Sequence, residues 1–66
     1  GLVERVALRT AIDRLPERER KLILLRYFRG LTQDRTARIL GISQVQVSRL
    51  EKKAIGFLRW ELSDGD

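Results

Sequence analysis

The chain has no cysteine, no histidine and no methionine. Those absences remove disulfides, thiolate nucleophiles, imidazole bases and the soft ligands of zinc. Stability must come from an apolar core, a disulfide-stapled secreted scaffold is excluded, and the expected compartment is the cytoplasm. Long hydrophobic runs are missing too. Nothing approaches the roughly 18 apolar residues that span a bilayer, and no signal peptide is visible, so no membrane partner is expected. Paired carboxylates in an apolar setting and a glycine-rich phosphate loop are also lacking. No enzyme, metal or cofactor is therefore expected. The first residue is Gly1 rather than methionine, which suggests a fragment of a longer protein.

What is present is charge. Fourteen Lys or Arg face nine Asp or Glu, a net charge of +5 and a pI near 10.8. Such a balance favours polyanionic partners. It is uneven: residues 1–30 hold 8 bases and 4 acids, residues 31–66 hold 6 and 5, and two of those acids lie in the tail at Asp64 and Asp66. With 66 residues, one domain spanning 1–66 is expected. A chain this short hides only about 60% of its unfolded surface, so its core is thin.

Periodicity and punctuation place four helices, at about residues 3–14, 17–29, 33–40 and 44–62. Val3 or Ala7, with Leu8, Ala11, Ile12 and Leu15, forms the apolar stripe of the first. Leu15-Pro16 ends it, because the residue before proline avoids the α region. Pro16 then suits the first turn of the second helix, and Glu17 and Glu19 complement its dipole. Gly30 is its C-terminal stop. Thr32 caps the third helix, though Arg35 stands where a full capping box wants Glu or Gln. Ser43 caps the fourth, and Gln46 completes an S-x-x-Q box. Gly56 interrupts that helix at a cost of about 1 kcal/mol relative to alanine. Strand-like alternation is absent, so the fold class is all-α.

Residues 33–50 carry the most information. Two helices crossing steeply need a small residue at closest approach, which Ala37 supplies. The short turn between them needs a positive φ, which Gly41 takes without steric cost. Leu40, Ile42, Val47 and Leu50 clamp the pair onto the core. This spacing is that of a helix-turn-helix; an ordinary helical hairpin is the plainer alternative. Thr36 departs from the pattern, since its position is usually aliphatic. At 100° per residue, Val47, Leu50, Ala54 and Leu58 face inward. Val45, Arg49, Lys52 and Gly56 face outward, flanked by Ser48, with Gln44 and Gln46 at the tip. Glutamine can read adenine, arginine can read guanine, and valine can meet a thymine methyl. Lys52, Lys53 and the capped helix starts at Thr32 and Ser43 suit phosphate.

Read together, LPERER (15–20), LLRYFRGLTQ (24–33) and LGISQVQVSRLEKKAI (40–55) resemble region 4, the C-terminal domain of bacterial RNA polymerase sigma factors. The tract GISQVQVSRLEKKA is most similar to the alternative sigma factors of the sporulation and general-stress group. The resemblance covers about residues 8–59. It implies recognition of the −35 promoter element by the second helix of the motif, docking on the flap of the polymerase β subunit, and capture by an anti-sigma factor. Carried over, base reading falls on Gln44, Val45, Ser48 and Arg49, with Gln46 adjacent. Phosphate contacts fall on Leu31, Thr32, Gln33 and Lys53. Housekeeping members have charged residues where this chain has Gln44 and Val45, which implies a different −35 sequence.

Three features remain. Leu22 to Phe28 is apolar in nearly every direction, so Leu24 and Phe28 are either buried between helices or part of a groove for the flap helix or a regulator. Glu51, near the inward face, should meet an arginine of the second helix, Arg20 or Arg26. Trp60 lies about 24 Å along the helix from Gln44. It is expected either to lie as a lid on the first helix or to touch another domain or protein. Two other function classes share parts of this pattern. A response-regulator output domain has a similar helix set, but its usual Thr-Val-Lys-x-His run is absent from residues 44–50. A protein-interaction module would carry the same basic surface merely solvated.

Overall fold

Ala11 and Ile12 from the first helix, Leu15 from the turn after it, Leu22 and Ile23 from the second, Ala37 from the third and Val47, Ala54 and Leu58 from the fourth form one buried cluster. The computed structural model describes residues 1–63. Its elements are α1 (Leu2–Asp13), α2 (Glu17–Ile23), a π-helical turn (Leu24–Phe28), α3 (Gln33–Leu40) and α4 (Gln44–Ser63). The fold is all-α, with no strand among the described residues, as the sequence implies. The acidic tail at residues 64–66 lies outside them. α4 is the hub and packs against α1, α2 and α3.

The local signals act where they are written. Gly41 has φ +72°, and the N–H groups of Gly41 and Ile42 both donate to the Ala37 carbonyl. This left-handed stop turns the chain into α4. Thr32 Oγ1 accepts from the Arg35 N–H at 3.1 Å, so half a capping box forms despite the arginine. At α4 the box is complete: Gln46 N–H donates to Ser43 Oγ at 3.1 Å, and Ser43 N–H donates to Gln46 Oε1 at 2.9 Å.

Several expectations need correcting. The first half of α1 is not core: Leu2 and Val3 are about four-fifths exposed, and Ala7 is exposed. The inward stripe begins at the half-buried Leu8 and is buried from Ala11, because no described element covers the first turn. Pro16 sits at the N-cap, one position before the first turn, with ψ 150°; its carbonyl accepts from the Arg20 N–H at 2.9 Å. The second helix is not regular to Arg29. From Leu24 it widens, with Arg29 N–H donating to the Leu24 carbonyl and Leu31 N–H to the Leu25 carbonyl. Gly30, at φ +70°, then releases the chain. Of the clamping residues, Val47 is fully buried, whereas Leu40, Ile42 and Leu50 pack at the edge of the core. Thr36 is fully buried and its hydroxyl finds no hydrogen-bond partner.

Candidate nucleic-acid interface

The turn at Gly41 sets α4 across α3 so that Val47, Ala54 and Leu58 point inward. The opposite side follows from helical geometry. Gln44, Val45, Gln46, Arg49, Lys52 and Lys53 are exposed, and Ser48 is half-buried at the rim. Neither Arg49 nor Lys52 is ion-paired among the described residues. Gln46 lends its carbonyl to the cap, which leaves its amide nitrogen outward. Lys53 reaches Glu19 at 3.9 Å yet stays 78% exposed, so this weak pair leaves the ammonium accessible.

Of the phosphate candidates, Leu31, Thr32 and Gln33 gather where α3 begins, whereas Lys52 and Lys53 stand well inside α4. Thr32 is exposed, with its hydroxyl oxygen occupied by the cap. Leu31 has no free backbone group: its N–H donates to the Leu25 carbonyl and its carbonyl accepts from Arg26 at 2.7 Å. Gln33 turns toward α4. Its amide nitrogen donates to Glu51 Oε1 at 3.2 Å, and its carbonyl accepts from the amide of Gln44.

Beneath this face lies Glu51. Of the two arginines expected near it, Arg26 is the partner, with Nε 2.7 Å from Oε1. Tyr27 donates to Oε2 at 2.8 Å. Burial opposes ionisation of Glu51, but hydrogen bonds from Arg26, Tyr27 and Gln33 outweigh it and hold the carboxyl below the usual range. The same bond to the carboxylate, and burial, raise the Tyr27 phenol. Arg26 likewise holds its proton more firmly because of Glu51. Sequence reasoning missed Tyr27. An α-helical wheel sets consecutive residues 100° apart and so gives no signal that Arg26 and Tyr27, both in the widened turn, meet one carboxylate.

The second surface is apolar with a basic rim. Leu24 is 40% exposed and Phe28 61% exposed, so neither is enclosed by α1 and α4. They line a groove of about 520 Å³ with Leu8 and Ile12, bordered by Arg5, Arg9 and Arg20 and by Asp13. Arg5 and Arg9 were also missed, although their spacing already puts both on one side of α1, and Arg20, expected as a candidate partner of Glu51, borders this groove instead. On the far side of Phe28 a second, more apolar cleft continues over Tyr27, Ile55 and Leu58. Trp60 is no lid: it is 61% exposed. The end of α4 is instead tied to α1 by Arg14 and Glu61, at 3.3 Å.

A small residue, a left-handed glycine and a capped second helix with a polar outer face define a helix-turn-helix domain. Residues 11–59 match the family "Sigma-70, region 4", and the chain belongs to it. It is 48% identical over 61 residues to the RNA polymerase sigma-F factor of Priestia megaterium, covering 92% of this chain and 24% of that protein. The sigma-F factor of Bacillus subtilis is 46% identical over 63 residues, 96% of this chain and 25% of that one. Sigma-G of the same species is 49% identical over 53 residues, 80% and 20%. The chain thus spans about a quarter of the length of the first of these relatives. No solved structure gives a significant match. The sporulation-type resemblance read from residues 40–55 agrees with these relatives.

Proposed function

We propose that residues 1–66 form one promoter-binding domain of a sigma factor, reading the −35 element in the major groove. The observation that carries this is the outer face of α4, where Gln44, Val45, Gln46 and Arg49 stand exposed on the second helix of the motif, with Ser48 at the rim. These side chains suit base edges. Thr32, Lys52 and Lys53 take the phosphates. At Leu31 and Gln33, the other phosphate positions that the resemblance implies, the Leu31 backbone is engaged by Leu25 and Arg26 and the Gln33 amide by Glu51 and Gln44. Leu24 and Phe28 form the docking surface for core RNA polymerase, on its β flap, and an anti-sigma factor competes for it. The work is done in the cytoplasm, with polymerase. Because the groove and the outer face of α4 involve different residues, DNA and polymerase bind together.

The test is binding of the protein carrying this chain, assembled with core polymerase, to promoter duplexes with intact or scrambled −35 elements across a salt series. Phosphate contacts make log K fall with log salt. Equal affinity for both duplexes at every salt would reject sequence reading.

A further inference from the structure

Between the start of α3 and the first turns of α4 three polar side chains form a line whose direction is dictated at one end. Ionised Glu51 can only accept hydrogen bonds. Gln33 must therefore turn its amide nitrogen toward it, and does so at 3.2 Å. That orientation points the Gln33 carbonyl the other way, where it accepts from the amide nitrogen of Gln44. Gln44 is exposed at the tip of α4. An amide has two N–H donors and one carbonyl. With one donor committed to Gln33, Gln44 presents outward one donor and one acceptor in a single arrangement. This is the pair with which glutamine reads the N7 and N6 groups of adenine.

We infer that Gln33 is a specificity-determining positioning residue: anchored by Glu51, it sets which hydrogen-bonding groups Gln44 offers to a base pair. The inference rests on the reading of α4 as the base-contacting helix. Without Gln33 the Gln44 amide is free to turn over, exchanging donor for acceptor, and bases other than adenine become acceptable. Glu51 itself is fixed independently by Arg26 and Tyr27, so the anchor does not depend on the residue it orients. The role differs from a phosphate contact, which carries no sequence information.

The experiment uses the protein carrying this chain with core polymerase, and a panel of duplexes in which each −35 base pair is replaced by the other three. Gln33→Leu and Gln33→Met, which keeps the unbranched stem, are compared with Gln44→Ala and with the double variant Gln33→Leu/Gln44→Ala. The expected result is a drop of about tenfold in discrimination at one base pair. That base pair is the one Gln44→Ala also relaxes, and the double variant loses nothing further there. Equal weakening on every duplex would make Gln33 a phosphate contact only and overturn the inference, as would unchanged discrimination. An unaltered protein with no base preference anywhere would instead bring down the underlying reading of α4, and this inference with it.

Discussion

Arg26 and Glu51 join the π-helical turn to the motif's second helix, with the guanidinium Nε 2.7 Å from the carboxylate. The same guanidinium donates to the Leu31 carbonyl at 2.7 Å, so one ion pair ties the segment before α3 to α4. Glu51 is nearly buried and has four donors on it from three side chains. Removing one member of such a pair leaves the other uncompensated.

Glu51→Ala should therefore lower stability by about 3 kcal/mol, read from denaturant unfolding. There is a pH signature as well. The carboxyl is held below its ordinary range when folded, so its contribution is fully present above the unfolded pKa and is lost as pH falls through the folded one. Melting temperature should drop in acid, and Glu51→Gln should flatten that part of the profile. Identical acid slopes for the two proteins would remove Glu51 from the linkage.

Thr36 offers the opposite sign. Its hydroxyl is buried without a partner, which costs free energy that a methyl would not. Thr36→Val keeps the β-branched shape and should raise stability by about 1 kcal/mol. A lower melting temperature would mean that the hydroxyl is satisfied in solution, by water or by a shifted rotamer.

Two glycines should separate backbone need from accident. Gly41 has φ +72° and open space around a would-be Cβ, so Gly41→Ala suffers backbone strain alone, about 1 kcal/mol. Gly56 has no positive φ and equally open surroundings, so Gly56→Ala should gain up to about 1 kcal/mol of helix propensity. Urea midpoints at constant slope measure both. Equal shifts in the same direction would contradict the assignment.

These contrasts show what was readable from sequence. Gly41, Ser43 and Gln46 act through bonds to near neighbours in the chain, so residue type and spacing suffice to place them. Trp60, Val3 and Leu24 were ambiguous for a physical reason: periodicity gives the direction a side chain faces, not whether another element waits there. The π-helical turn was invisible because Leu24–Phe28 reads equally well as ordinary helix. In the line from Glu51 through Gln33 to Gln44, the two ends are seven residues apart on α4 and share a face, but the link, Gln33, stands on α3, and no helical period relates it to them. The arginine partner of Glu51 was narrowed to two candidates, and packing chose between them.

On α4, Arg49 and Lys53 should separate by the kind of loss they cause. Arg49→Ala should cost about 1–3 kcal/mol and relax preference at one base pair, as expected of a guanidinium on a base edge. Lys53→Ala should weaken all sequences alike and lower the salt slope by about one unit. Its 3.9 Å pair with Glu19 is long and its ammonium is exposed, but the Glu19 carboxylate is buried, so the melting temperature of Lys53→Ala is measured beside its affinity. Competition binding on matched and scrambled duplexes distinguishes the two, and a uniform loss for Arg49→Ala would move it to the phosphate class.

The groove lends itself to a sharper separation of folding from docking. Leu24 is 40% exposed, so a charged side chain there can reach water without opening the core. Arg5, Arg9 and Arg20 border the site, and in the free domain they would favour an introduced carboxylate over a second cation. Leu24→Glu should therefore leave the melting temperature within a few degrees of the parent. A partner helix resting on the groove would instead have to bury that charge against its own apolar face. Anchor positions of this sort carry about 2 kcal/mol or more, so affinity for core polymerase should fall at least tenfold. Phe28→Ala, at a still more exposed position, should act similarly through lost contact alone. DNA discrimination by α4 should stay unchanged in both, because neither side chain lies on its outer face. Undiminished polymerase affinity in the two folded variants would leave Leu24 and Phe28 without a docking role.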